Sequence, residues 1–320
     1  MVQPGAGSRL LDAPSTLPDP PAWATALVKR GKLSSMMTLL EAVRRHTEAC
    51  GNAEGVAASA VPGLTTARAT TPSALLHAIP QPLFCLVLQG SKHVTIGQHG
   101  TLYQAGDALL VTADIPTVSQ VTQASLAAPY LALVLALDAA LIAQLLAEGV
   151  ASGSGDLDAE LLDAALRLMH LLDRPAAVPV LHAQRVRELH YWLLCGRYGA
   201  QVATLGTRSH HAQQVGRAIA LVRAEFARTL PVNELASVAA MSASSLHHHF
   251  RQLTSLSPLQ FQKRLRLIEA RRLMRFTGAS ASTAAFAVGY ESVPQFTRDY
   301  GKLFGAPPVR DARAALSLST

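Results

Sequence analysis

The spacing of apolar residues changes twice along the 320-residue chain. Residues 33–50, LSSMMTLLEAVRRHTEAC, place Leu39, Leu40 and Val43 on one side of a helix. From about 55 to 137 the texture is different. Short apolar or β-branched runs (PLFCLVLQG, KHVTIGQ, ALLVTADI, SQVTQAS, YLALVLAL) alternate with Gly, Pro and Asp turn signals, the pattern of many short strands in a sandwich or barrel. Helical spacing returns over 139–148, 158–173 and 180–197, and again beyond TLGTRSH near 204–210, a hinge into a helical C-terminal part. The most apolar stretch, LAAPYLALVLALDAALIAQLLAEG, has an apolar core only from Leu126 to Leu137, short of the ~20 residues a spanning helix needs. It reads as a buried strand followed by a helix capped by Asp138 and stopped by Gly149. The expected class is α+β.

The C-terminal helices carry an internal repeat. Ser242, Leu246, Phe250, Leu253 and Pro258 recur as Ser292, Phe296, Tyr300, Leu303 and Pro308, each pair 50 residues apart. Each copy is a short apolar helix, a tight turn and a second helix with one buried stripe, over about 232–253 and 281–304. In the second copy Gly289 can supply the positive φ of a sharp turn. Between the copies SPLQFQKRLRLIEARRLMRF reads as one long helix, with Leu259, Leu265, Ile268 and Leu273 available to bury. Two helix-turn-helix units joined by a long helix is the arrangement this pattern predicts.

Charge sharpens the division. From Arg208 onward 15 Lys and Arg stand against 6 Asp and Glu, a net of +9; the first 207 residues hold 13 basic and 15 acidic residues, a net of −2. A basic excess confined to the helical tail is the electrostatic footprint of phosphate binding, or else a solvated basic surface. Three widely spaced cysteines (Cys50, Cys85, Cys195) argue against a disulfide framework and fit a reducing compartment, here the cytoplasm. The Pro-rich segment 1–30 lacks a signal-peptide apolar run and is expected to be disordered, leaving domains over 31–203 and 204–320.

The segments ELASVAAMSASSLHHHFRQLTSLSPLQFQKRLRLIEARRLM and AFAVGYESVPQFTRDYGKLFGAPP resemble the DNA-binding domain of AraC/XylS-type bacterial transcription regulators, over roughly 211–312. PGL, HAIPQPLFCLVLQGSKHVTIG, ADIPTVSQVTQAS and PYLALVLALD resemble, in order, the N-terminal domain of one branch of that family, over about 60–200. The resemblance implies a cupin-like β-barrel with appended helices that senses a small effector or dimerises, ahead of an all-α DNA-binding domain. It implies promoter duplex DNA as a partner, a homodimer, and RNA polymerase contact if the protein activates. No cofactor and no catalytic residue are expected.

Three consecutive histidines, His247, His248 and His249, cannot converge on one metal ion, because adjacent helical residues point about 100° apart. Carried over position by position, Ser244, His247 and His248 become base-contact candidates, with Ser242 and Arg251 near phosphate and His249 beside the core stripe. In the second unit Gln295 and Arg298 face bases, and Ser292 and Lys302 phosphate; Gln can pair with adenine and Arg with guanine. Arg298 could instead bridge to Asp299 or Glu291. Relatives often carry Arg at the position of His248, so base readout there departs from the family, and they often carry Gly at Ser255. In the front domain His77, Cys85, Lys92 and His93 are candidate effector contacts, with Cys85 either a buried small hydrophobe or a redox switch. His77, His93 and His99 do not make the H-x-H pattern of a metal-binding cupin. The competing reading is a cupin-type metal enzyme or redox sensor whose tail mediates protein contacts.

Overall fold

The runs LFCLVLQ and YLALVLA show no alternation because both of their faces are covered. In the structure, a computed structural model that describes residues 22–156 and 158–316, they form two central strands of one sheet. Helix α1 (Ala22–Cys50) precedes strands β1 (Val56–Ala58), β2 (Leu64–Ala69), β3 (Leu76–Ala78), β4 (Leu83–Gln89), β5 (Ser91–Ile96), β6 (His99–Gln104), β7 (Ala108–Val111), β8 (Thr117–Gln123) and β9 (Tyr130–Ala136). These strands make two antiparallel sheets, in the orders β1-β2-β9-β4-β7 and β3-β8-β5-β6.

Phe84, Leu86 and Leu88 of β4, with Leu131, Leu133 and Leu135 of β9, join a core completed by helices. Those helices are α1, α2 (Ala139–Ala147), α3 (Asp158–Leu171), α4 (Val178–Cys195) and α5 (Gly199–Gly206). The alternate residues Cys85, Val87, Tyr130 and Ala132 pack with Val94 and Val121 of the second sheet. A strand buried on both faces reads as a continuous apolar run. Asp138 caps α2 as expected, accepting from the Ala140 and Leu141 amides at 2.9 and 3.1 Å.

Helix α1 starts at Ala22, so the end of the segment expected to be disordered is helical; residues 1–21 lie outside the described residues. Once Leu39, Leu40 and Val43 are seated on the sheet, extending the helix backwards needs no new nucleus. Helix α5, bounded by glycines, is invisible to pattern reading. Gly199 is there because a Cβ would lie 2.1 Å from the Leu194 carbonyl oxygen.

The tail comprises α6 (His210–Glu225), α7 (Val232–Ala239), α8 (Ala243–Thr254), α9 (Pro258–Arg272), α10 (Ala281–Ala287), α11 (Val293–Phe304) and α12 (Pro308–Leu316). A single π-helical turn, Leu273–Thr277, follows α9. Two separate cores form. Val215, Ile219, Leu235, Leu246, Phe250 and Phe261 build the first, and Leu267, Met274, Ala285, Phe296 and Tyr300 the second. Helix α9 supplies Phe261 to one and Leu267 and Ala270 to the other, where Met274 of the π-turn joins them, so the buried stripe differs from the expected one. Leu259 is 66% exposed, and Leu265, Ile268 and Leu273 only flank the cores.

Tight turns join α7 to α8 and α10 to α11. Gly289 has φ +84° in the second turn, and a Cβ there would lie 1.7 Å from the Ala227 carbonyl oxygen. In the first turn the left-handed residue is Ala240 (φ 51°), and after α8 it is Ser255 (φ 63°), each carrying the Cβ penalty. Ser255→Gly is expected to raise stability by up to about 1 kcal/mol, the strain relieved minus the added unfolded-state entropy. Gly289→Ala is expected to cost more than about 2 kcal/mol, because steric overlap adds to strain. Chemical denaturation of both variants against the wild type measures the two effects.

Candidate nucleic-acid interface

Two helices present polar faces opposite fully buried stripes. On α8, Leu246, Phe250 and Thr254 are buried, and Ser244, His247, His248 and Arg251 are exposed. Ser242 caps the helix, its hydroxyl accepting from the Ser245 amide at 3.2 Å. On α11, Phe296 and Tyr300 are buried, and Gln295, Arg298 and Lys302 are exposed. Ser292 caps it through the Gln295 amide at 3.5 Å, and Pro294 occupies the first turn, where its missing N–H costs nothing. Of the two carboxylates expected to compete for Arg298, Asp299 is engaged elsewhere. Asp299 binds Lys263 at 3.0 Å and accepts from the Tyr290 hydroxyl at 3.4 Å, and among the described residues Arg298 makes no ion pair.

His249 is half-buried beside the stripe, and its ring stacks on His211 of α6, centroids 4.4 Å apart and planes 18° from parallel. Its Nδ1 lies 3.1 Å from the Gln252 amide oxygen, and that of His211 lies 3.2 Å from Gln214. Nothing local in the sequence links His211 to His249, 38 positions apart. Among the described residues no group of three His, Cys, Asp or Glu is placed to hold a metal ion.

Of the four front-domain candidates, only Cys85 and Lys92 come near one another, between the two sheets. Cys85 lies in the dry interior between the sheets, where burial pushes its thiol up, away from the reactive thiolate. Lys92 and His93 are adjacent on β5 and so point to opposite faces. Lys92 shares the face of Val94, and His93 lies against Gly100 on the other side. His77 sits at the junction with the tail. An open cavity of about 560 Å³ lies elsewhere, lined by Gln89, Gly90, Gln104, Gln123, Ser125 and Ala128.

Residues 60–201 match the family described as AraC-type transcriptional regulator N-terminus, and residues 235–314 match a helix-turn-helix domain family. The chain belongs to the AraC/XylS family of transcription regulators. It is 34% identical to the HTH-type transcriptional regulator GbdR of Pseudomonas aeruginosa over 109 residues, 34% of this chain and 29% of that protein. It is 27% identical to the HTH-type transcriptional activator RhaS of Escherichia fergusonii over 161 residues, 50% of this chain and 58% of the relative. The chain thus spans between about a third and three-fifths of the length of these relatives. The crystal structure of ToxT from Vibrio cholerae shares the fold, with a TM-score of 0.50 and 10% identity over 79% of this chain and 96% of that one. No helix among the described residues is long and apolar enough to cross a membrane.

The AraC/XylS resemblance does not by itself point to the arginines that join the two halves. Arg223 of α6 binds Asp114 at 2.6 Å and donates to the Ile79 carbonyl at 2.9 Å. Arg271 of α9 donates to the Leu75 carbonyl at 2.8 Å and to His77 Nδ1 at 3.2 Å. Arg272 binds Glu54 at 2.8 Å, and Arg208 donates to the Thr112 carbonyl at 3.0 Å. The one sequence signal is positional: Arg271 stands four residues after Leu267 and three before Met274, on the buried stripe of α9.

Because guanidinium only donates, His77 Nδ1 must accept, which requires a neutral ring. Burial, reinforced by the Arg271 charge, lowers the His77 pKa to about 4. The folded ring therefore binds a proton less readily than the unfolded one. Its contribution to stability is complete above the ordinary pKa of 6.5 and is withdrawn as pH falls toward about 4. Denaturant titrations of wild type and His77→Asn across pH 7 to 4 are expected to converge at the acid end. Curves that stay parallel would show that His77 is not the titrating group.

Proposed function

We propose that this protein is a sequence-specific DNA-binding transcription regulator, with α8 and α11 as the two reading helices and the β-rich domain as the seat of a small-molecule effector. The observation that carries the reading is the pair of capped helices, each with an exposed polar face opposite a buried stripe, on a tail of net +9. Helices of this kind dock in the major groove, their outward side chains reading base edges. Ser244, His247 and His248 then face one segment, and Gln295 and Arg298 another. Arg251 and Lys302 approach phosphate. Ser242 and Ser292 serve first as helix caps, which leaves each hydroxyl's proton free to donate to a phosphate oxygen.

The cavity beside Gln89, Gln104 and Gln123 has the volume of a small-ligand site. Its uncharged carboxamide lining suits a neutral polar effector. Such an effector acts only by binding the DNA-competent and DNA-incompetent states unequally. Self-association would use α4, whose outward face exposes Val180, Leu181 and Tyr191; RNA polymerase contact follows if the protein activates. The reading as a cupin-type metal enzyme or redox sensor is not favoured, since both halves match regulator domains.

DNA affinity is expected to fall steeply with monovalent salt, by about 0.9 log unit per decade of salt for each phosphate neutralised. Arg223, Arg271 and Arg275 are covered and ion-paired within the protein and should not add to that slope. Binding isotherms across a salt series measure it, and a flat dependence overturns the proposal. Arg298→Ala is expected to cost about 1–3 kcal/mol and to relax preference at one base pair. His247→Ala and His248→Ala should act on a segment about one helical turn away. Equal losses on every duplex for all three would mean backbone contact only.

A further inference from the structure

Strand β3 lies at the edge of its sheet, hydrogen-bonded to β8, and its flanking carbonyls are taken by the tail: Leu75 by Arg271, and Ile79 by Arg223. The five residues from Leu75 to Ile79 reach both reading units. The Ile79 side chain, 5% exposed, is part of the first unit's core with Val215, Leu246 and Phe250. The His77 ring meets Phe304 edge-on at 5.0 Å in the second unit, and Arg271 lies over the same Phe304 ring at 4.5 Å.

Within the tail the two cores are separate and α9 runs between them, with Gln262 and Arg266 donating to the Phe226 and Arg228 carbonyls at the end of α6. The front domain grips both sides of the α9 stretch between Phe261 and Leu267, holding the first unit through Ile79 and Arg223 and the second through Arg271 and Phe304. Asp114 steadies the grip by holding Arg223, over a Phe261 ring 5.6 Å away.

We propose that the segment Leu75–Ile79 fixes the spacing and angle between α8 and α11, making His77 and Ile79 positioning residues for two-segment DNA reading. The front domain is then part of the reading apparatus, a second brace beside the one inside the tail, where Arg266 donates to both the Phe226 and Gly289 carbonyls. The neutral state of His77 at pH 7 is consistent with this role, since a charged ring would repel Arg271.

The inference rests on the DNA-binding reading above, and one experiment separates the two. Full-length wild type, His77→Ala and Asp114→Ala are titrated onto duplexes built on the wild-type footprint, with the two segments at native spacing or moved by one base pair either way. A duplex with only the α8 segment is the control. One inserted base pair turns the second segment by roughly a tenth of a helical turn, so wild type is expected to lose about tenfold or more. The variants are expected to lose about three- to tenfold at native spacing, with the insertion penalty reduced to about threefold and control binding unchanged. A general loss of folding would lower control binding as well, which separates it from a positioning defect. Variants that bind with the wild-type spacing penalty overturn this inference alone. A wild type that binds none of the duplexes overturns the DNA-binding reading and this inference with it.

Discussion

Arg271 is the charge on which the assembly of the chain depends. It is 8% exposed, and a guanidinium at that depth costs several kcal/mol unless every donor finds an acceptor. Asp311 answers it bidentately at 2.9 Å through both oxygens, while also accepting from Arg275 at 2.9 Å and the Tyr300 hydroxyl at 2.7 Å. These partners hold the Asp311 carboxyl down at about 2, so the cluster stays ionised at any physiological pH. The remaining Nη1 donor goes to the front domain. Helices α9, α11 and α12 and strand β3 therefore meet at one side chain, and truncating any partner would leave a buried group unsatisfied.

That arrangement changes the meaning of the basic tail. Arg223, Arg271 and Arg272 meet carboxylates or carbonyls inside or across the domain junction, while Arg251, Arg298 and Lys302 stand outward. The same residue type thus serves two purposes, cohesion and phosphate attraction. The difference is desolvation: a guanidinium paired in a half-dry junction is held by geometry, whereas an exposed one is free to release counterions. The front domain's slight acidity has a local counterpart in Glu54 and Asp114, each placed against one arginine.

Much of the helical half was legible because its rules are local. The 50-residue repeat, the Ser242 and Ser292 caps, the Gly289 turn and the stripes Leu246–Phe250 and Phe296–Tyr300 depend on periodicity and cap chemistry, which act over three or four residues. The exposed faces of α8 and α11 followed from those stripes. The left-handed conformation of Ser255 was signalled only by the glycine that relatives often carry there. In the front half the long strands β4 and β9 were visible as apolar runs. The three-residue strands β1 and β3 were not, since so short a segment owes its conformation to its partner.

The sequence alone therefore determined the two-part α+β division, the paired polar helices and the confinement of positive charge to the tail, because composition and period survive without any tertiary contact. Only the folded structure decided which arginines are spent inward, that His211 stacks on His249, that His77 and His93 lie apart from Cys85 and Lys92, and that Leu75–Ile79 bridges two cores. Arg271 and His77 are 194 positions apart. A contact of that range carries no periodic signature, and its energy exists only once the surrounding surfaces have closed and excluded water.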